Sequence, residues 1–342
     1  MKILLTGATG FLGKQILKLL LSEPGIGSVH VISRTQSTHP DPRVVVHRLD
    51  LADPSALWQL ELKNPDFVLH LAGLYDFESD YTENYCGNVL PIVHLTHWLK
   101  SQAKKAPLLL ASTYAVSYGK DHLEETPLSH LPPHSLPYAY TKALAEAAFI
   151  GSKLPGAIFR LGVLVGTERE GKIEKIDGPY YLMRFLRDLK NTPLARAPRL
   201  PMPIHAGSFL PLVPVDQVAR VFLSALAFDP AGPAFALGAN GPPIYAVHEN
   251  SNVPTRELVE DLFREFLPQS KPYFLNRFPT ALLGWQAKFT RMPASIFSMT
   301  AHSVRLENGN FLRTFPHANL SKFPVIRKSL ISGFHRYLGQ DT

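Results

Sequence analysis

The sequence predicts an α/β protein: a doubly wound parallel sheet followed by a smaller, mostly helical C-terminal region. Three observations carry this. Short apolar, β-branched runs alternate with helical patterns throughout the first half, the signature of a parallel sheet covered on both faces. A glycine-rich turn, "TGATGFLG" at 6–13, sits between the first strand and the first helix. The chain has 342 residues, above the size of about 250–300 at which a single core usually stops growing.

The elements follow in order. "KILLTG" reads as a buried strand, and an apolar-periodic helix runs from Phe11 to Leu21 until Pro24-Gly25 ends it. "SVHVIS" (28–33) and "RVVVHRL" (43–49) are β-branched strands. Asp53-Pro54 resembles an N-cap with proline in the first turn, predicting a helix to about Leu62. "DFVLHLAG" (66–73) is the fourth strand, Glu83 to about Lys104 one long helix, and "PLLLAST" (107–113) the fifth strand. A helix from Leu136 to about Ser152 and a strand "GAIFRLG" (156–162) complete the alternation. Right-handed crossovers place the C-terminal ends of all these strands on one edge, where ligands bind.

After Gly166 the pattern loosens, and most of the 30 prolines fall after residue 125. "VPVDQVARVFLSALA" (213–227) returns to the sheet, and "TRELVEDLFREFL" (255–267) is amphipathic. Residues 273–299 are rich in Phe, Leu, Trp and Met, broken by Arg277, Lys288 and Arg291. They read as a small helical core or as an apolar wall for a greasy substrate. The expected division is a dinucleotide-binding unit over 1–165, rejoined by 205–240, and a substrate-binding region from 166–204 and 241–342.

Composition narrows the function. Lys plus Arg number 35 against 28 Asp plus Glu, a net charge of +7. That excess attracts an anionic ligand such as a phosphorylated cofactor. It is too diffuse for nucleic acid, and no aromatic-basic repeat accompanies it. The single cysteine, Cys86, excludes an intrachain disulfide and suits a reducing compartment. The opening "MKILLTGATGFLGKQILKLLL" is broken by Gly7, Gly10, Gly13, Lys14 and Lys18, so it does not read as a signal peptide. No window approaches the ~20 apolar residues of a membrane span. A cytoplasmic protein is expected. His94-x-x-His97 lacks a third ligand at matching spacing, so no metal is expected.

The glycine turn indicates the ligand. Gly7, Gly10 and Gly13 are spaced G-x-x-G-x-x-G, after a strand and opening a helix. Such a turn, with Thr9, Phe11 and Leu12 between the glycines, brings backbone N–H groups to a pyrophosphate at a helix N-terminus. An acid at the end of the second strand would hold a ribose 2′-hydroxyl. This chain has Ser33 and then Arg34, with no acid. An acid repels a 2′-phosphate, whereas arginine offers a charge-assisted fork worth about 1.5–3 kcal/mol. NADP(H) is therefore favoured over NAD(H). Asp50 and Leu51 end the third strand near the adenine, and Leu71, Ala72 and Gly73 end the fourth where bulk would obstruct the cofactor.

These pieces resemble the extended short-chain dehydrogenase/reductase superfamily, with its Rossmann-type domain. The resemblance rests on "TGATGFLG", Asp50-Leu51, "LHLAG" (69–73), Asn84 in "NYCGNV", "ASTYAVS" (111–117), Tyr138-x-x-x-Lys142, "FRLGVLVG" (159–166) and "VPVDQVA" (213–219), in order over about residues 1–225. It implies that Tyr138 is the general acid/base and that Lys142 lowers its pKa and holds the nicotinamide ribose. It implies that Thr113, or its neighbour Ser112, hydrogen-bonds the substrate oxygen and that Asn84 supports a proton-relay water. Homodimerisation through helices 83–104 and 136–152 also follows from it. Tyr140 has the wrong spacing to replace Tyr138.

Short later segments are similar to the thioester-reductase and fatty acyl-CoA reductase branch: "GKIEKIDGPYYLMRFL" (171–186), "ASTYAVS" and "SVRLENGNFLRTF". That similarity implies a small-molecule substrate, an aldehyde, ketone or acyl thioester with an apolar tail, in the last case carried by coenzyme A or an acyl-carrier protein. Lys172, Lys175, Arg184 and Arg187 would face the carrier or form a solvated basic loop. Two other classes stay open: a nucleotide-sugar epimerase/dehydratase with tightly held NAD, and a non-catalytic NADP(H)-binding sensor.

Overall fold

The computed structural model describes residues 1–35, 38–202, 204–205, 207–248, 254–275 and 304–340. Residues 276–303, which hold nearly all of the apolar stretch 273–299 and its Arg277, Lys288 and Arg291, lie outside the described residues.

The chain begins β1 (Lys2–Thr6), α1 (Phe11–Ser22), β2 (Ser28–Ser33), β3 (Val44–Arg48) and β4 (Phe67–His70). There follow α2 (Tyr81–Asn88), α3 (Leu90–Ser101), β5 (Leu108–Thr113), β6 (His122–Leu123), α4 (Pro137–Ser152), β7 (Gly156–Leu161) and β8 (Val163–Val165). The remainder is α5 (Pro179–Leu189), β9 (Arg199–Met202), β10 (Leu212–Pro214), α6 (Val215–Ala225), β11 (Ile244–Val247), α7 (Thr255–Phe266), β12 (Lys271–Phe274) and β13 (Arg305–Leu306). Two last helices, α8 (Gly309–Thr314) and α9 (Phe323–Gln340), close the described chain.

Seven strands form one sheet in the order β11-β7-β5-β4-β1-β2-β3, every pair parallel. This is the expected doubly wound, Rossmann-type architecture. The order reverses between β1 and β4, which opens a crevice at their C-terminal ends. One face is covered by α1 and α6 through Ile16, Leu20, Val218 and Phe222. The other is covered by α3 and α4 through Ile92, Leu95 and Phe149. A separate apolar cluster joins α5, α7 and α9 through Met183, Leu186, Leu262, Phe263 and Phe334.

The segment after 241 first gives the sheet its edge strand β11 and later returns with α8, whose Phe311 packs in the main core. Buried Glu125 ties these pieces together. Its carboxylate accepts the backbone N–H groups of Ala246 (2.7 Å), Phe311 (3.0 Å) and Asn310.

Two expected helices differ. The segment after Asp53 forms only a 3₁₀ turn at Ala56–Gln59. The Asp53 carboxylate is spent on Ser55, accepting its N–H and its hydroxyl at 2.8 Å each, a local turn that competes with helix capping. Beyond it, Leu60 and Leu62 are buried while Glu61 and Lys63 are exposed. That period of two is an extended pattern, not a helical one. The long helix 83–104 is in fact α2 and α3, separated at Val89. Pro91 stands in the first turn of α3; it has no N–H to continue the α2 ladder, and its ring clashes with the preceding turn.

Candidate active site

The crevice between β1 and β4 is built from glycine. Gly7 has φ +75°, and a Cβ on it would stand 2.6 Å from the Ala72 nitrogen and 2.7 Å from the Leu71 carbonyl carbon. A Cβ on Gly13 would stand 2.0 Å from the Gly7 carbonyl oxygen. Both positions therefore need glycine so that turn, helix and the 71–73 segment can meet. Gly10 is the N-cap of α1, which has no side-chain cap and no acid in its first turn. Its positive dipole end faces the crevice uncompensated, which fits a pyrophosphate. Thr9 and Gly10 are exposed, Phe11 is half-buried, and Leu12 packs into the sheet core.

Arg34 is exposed just beyond β2. The register sets Ser33 opposite Arg48, and the Arg48 Nε donates to the Arg34 carbonyl at 3.3 Å. Two arginines thus share this rim, of which the sequence reading singled out one. Asp50 is exposed and accepts the Ala52 N–H at 3.0 Å. Leu51 is buried, with its carbonyl 2.8 Å from His94 Nδ1. His97 lies edge-on to Trp58.

Tyr138 and Lys142 share one face of α4, one turn apart, and both are buried. Pro137 begins this helix in its first turn, a position where its missing N–H costs nothing. Thr113, the last residue of β5, accepts the Ala115 N–H at 3.1 Å and lies near enough to the Tyr138 phenol to act on its pKa. Ser112 meets α4 farther along. Its hydroxyl donates to Glu146 at 2.5 Å, beside the buried Glu146–Arg160 pair at 2.7 Å. Ser112 is thus spent two turns of α4 beyond Tyr138, and Thr113, at the strand end, is the hydroxyl that acts on the phenol.

The Lys142 ammonium donates to the Ala111 carbonyl at 2.7 Å. A Cβ on Gly73 would stand 3.8 Å from the Lys142 Nζ, so the end of β4 adjoins the lysine. Burial lowers the Lys142 pKa to about 8, against a rise from Glu146 one turn on. Burial pushes the Tyr138 phenol well above its usual range; the neighbouring Thr113 hydroxyl pulls the other way, and Asp177 adds to the rise. His70, buried at the end of β4, is depressed to about 3 by burial and then by Lys142, and is a neutral neighbour.

Asn84 is fully buried, and its amide donates to the carbonyls of Ser79 (3.1 Å) and Asp80 (3.0 Å). It meets the α4 side through Asn88, whose amide nitrogen reaches Asn84 Oδ1 (3.3 Å) and Thr141 Oγ1 (3.2 Å). Asn88 also accepts the Leu74 N–H at 2.9 Å. Asn88 is thus the residue that joins α2, α4 and the loop after β4, and the sequence reading passed over it. Its signal was there, in the i, i+4 spacing from Asn84. Tyr75, Phe77 and Asp177, which surround Tyr138, were also missed. Tyr75 and Phe77 follow directly on β4 at the switch point, which was a usable clue.

The fold and its crevice are those of a nicotinamide-dinucleotide oxidoreductase. Residues 3–237 match the family described as NAD dependent epimerase/dehydratase, and the chain belongs to that family, part of the extended short-chain dehydrogenase/reductases. It is 27% identical over 246 residues to the hybrid PKS-NRPS synthetase gkaA of Penicillium citrinum, covering 66% of this chain and 6% of the synthetase. It is 25% identical over 288 residues to fatty acyl-CoA reductase 1 of Gallus gallus, covering 65% of this chain and 54% of that protein. The terminal R domain of the myxalamid PKS-NRPS pathway shares the fold, with a TM-score of 0.74, 21% identity, and coverage of 98% of this chain and 91% of that one. The chain thus spans a small part of the synthetase and about half of the reductase. Among the described residues, no helix is long and apolar enough to cross a membrane.

Proposed function

We propose that this protein is an NADP(H)-dependent reductase of a carbonyl (aldehyde, ketone or acyl thioester with an apolar tail) that uses Tyr138 as its general acid/base. The observation that carries this is the buried Tyr138 phenol, beside Thr113 at the end of β5 and with Lys142 one turn along α4. When bound, the cofactor supplies the hydride. Gly7, Gly10 and Gly13 would admit its pyrophosphate, Arg34 and Arg48 would meet its 2′-phosphate, and Lys142 would hold its ribose.

The protein residues then handle the proton. Thr113 orients the substrate oxygen beside Tyr138. As hydride reaches the carbonyl carbon, the π-electron pair moves to oxygen, and the Tyr138 proton follows it. A phenol kept protonated by burial is ready to act as an acid in this direction. The charged Lys142, below about pH 8, then stabilises the phenolate until it is reprotonated. Asn84 and Asn88 hold α2 and the loop after β4 against α4.

Residues 1–165 with 205–240 carry the cofactor in this reading, and 166–204 with much of 241–342 shape the substrate side. The similarity to a hybrid PKS-NRPS synthetase and a fatty acyl-CoA reductase supports a thioester delivered by an acyl-carrier protein or coenzyme A. Lys172 and Lys175 lie on the exposed loop that would meet the carrier. A homodimer through α2, α3 and α4 is proposed with it, where Tyr81 and Val93 are exposed; a monomeric mass at micromolar concentration would remove this part. The single cysteine is free and fits a cytoplasmic setting.

The test is calorimetric titration with NADPH and NADH side by side, then NADPH oxidation with acyl-CoA and aldehyde panels. Tight NADPH and net turnover support the reading. Co-purified NAD with no net turnover would favour an epimerase/dehydratase, and NADPH binding without turnover would favour a sensor.

A further inference from the structure

Residues 171–178, between β8 and α5, touch both banks of the crevice. Their start is fixed to α9 by backbone contact. Gly171 has φ +64°, and a Cβ on it would stand 1.8 Å from the Ser329 carbonyl oxygen. Ile173 is buried in the substrate-side cluster. Glu174 then pairs with Lys14 of α1 at 2.7 Å, just past the glycine turn. At the other bank, Tyr75 donates from its hydroxyl to Asp177 at 3.2 Å. Lys175 pairs with Asp177 at 3.3 Å and stands over the Tyr75 ring, 5.0 Å from its centroid.

Tyr75 is thereby clamped against Tyr138. Their rings lie edge-to-face, with centroids 5.3 Å apart and planes at 85°. Phe77 closes a second side at 5.1 Å and 69°. Tyr138 keeps only 7% of its surface exposed, whereas Tyr75 keeps 43%. The outer ring therefore covers the inner one. A carbonyl that is to accept a proton must come within hydrogen-bond reach of the phenol, and Tyr75 and Phe77 occupy that approach.

We propose that Tyr75 is the access-controlling residue of the carbonyl site: Asp177 and Lys175 hold it shut, and a substrate reaches Tyr138 only when the Tyr75–Asp177 bond opens. Its functional meaning rests on the reading of Tyr138 as proton donor. The clamp itself can be tested without turnover. A substrate that displaces Tyr75 takes its place between Phe77 and the 171–178 segment, so the same residues select what fits next to the carbonyl.

The experiment is nitration by tetranitromethane, mapped by mass spectrometry, on wild type, Tyr75→Phe, Tyr75→Ala and Asp177→Ala. Tyr245, buried in β11, is the internal control for an intact fold. In the wild type, Tyr138 should react far more slowly than exposed Tyr273. In all three variants its rate should rise about tenfold or more with Tyr245 unchanged, the scale expected when a bond to a charged group no longer opposes local opening. Variant rates within about twofold of wild type, or a wild-type Tyr138 as reactive as Tyr273, overturn the proposal. Activity of Tyr138→Phe is read separately: a fully active variant would overturn the catalytic reading and leave the clamp result standing.

Discussion

The Lys142 ammonium lies 2.7 Å from the Ala111 carbonyl oxygen, one turn of α4 beyond Tyr138. This contact fixes the lysine between the end of β5 and Gly73. Its pKa, depressed to about 8 by burial, puts its charge change within an accessible range. The charged form is the one that stabilises a phenolate and a ribose hydroxyl contact, and it is lost as pH rises through that value. Turnover should therefore fall above about pH 8. Lys142→Met should be slower by about a hundredfold and should lose that alkaline limb. A wild-type profile flat to pH 10 would contradict the assignment.

Arg34 and Arg48 share the rim beyond β2 and β3. Arg34→Ala should weaken NADPH by about ten- to a hundredfold, the loss of one charged hydrogen-bonding group, and leave NADH nearly unchanged. Arg48→Ala should have a smaller effect in the same direction. Calorimetry with both cofactors checks this, and equal losses for the two would remove the 2′-phosphate role.

Gly13→Ala places a Cβ 2.0 Å from the Gly7 carbonyl oxygen, and backbone must move to admit it. Cofactor binding should be lost even where the protein still folds. Gly25→Ala, where a Cβ meets open space, is the matched control and should bind normally. The readout is cofactor affinity together with thermal unfolding.

His70 is held neutral by burial, with a pKa of about 3 against about 6.5 when unfolded. Between those values the unfolded chain binds the extra proton, so stability rises with pH there and is lost as pH falls from about 6.5 toward 3. His70→Gln should flatten this dependence while keeping a partner for Thr6, which bonds His70 Nδ1 at 2.8 Å. Urea unfolding at pH 4.5 and 7 measures it; identical pH slopes for the two proteins would sink the prediction.

The sheet was legible because each parallel strand is a short buried apolar run and each cross-over is a helix with its own period. The break at Val89 was readable from Pro91, which stands in the first turn of α3. Asp53 misled because the same residue type caps helices and closes local turns. The glycine turn, Arg34, Tyr138 and Lys142 could be picked out because their chemistry lies in local spacing. The choice of Thr113 over Ser112 depended on where along α4 each hydroxyl lands, Ser112 being spent on Glu146. Asp177 was illegible as a neighbour of Tyr138: it lies far along the chain, and only the tertiary path of 171–178 brings it to Tyr75.

The most direct test of the central claim is NADPH oxidation followed at 340 nm with an acyl-CoA and aldehyde panel, wild type against Tyr138→Phe. The account predicts net turnover by the wild type, a fall of about 10²–10⁴-fold in kcat on loss of the phenol hydroxyl, and unchanged NADPH affinity. A Tyr138→Phe enzyme that oxidises NADPH at the wild-type rate would contradict it.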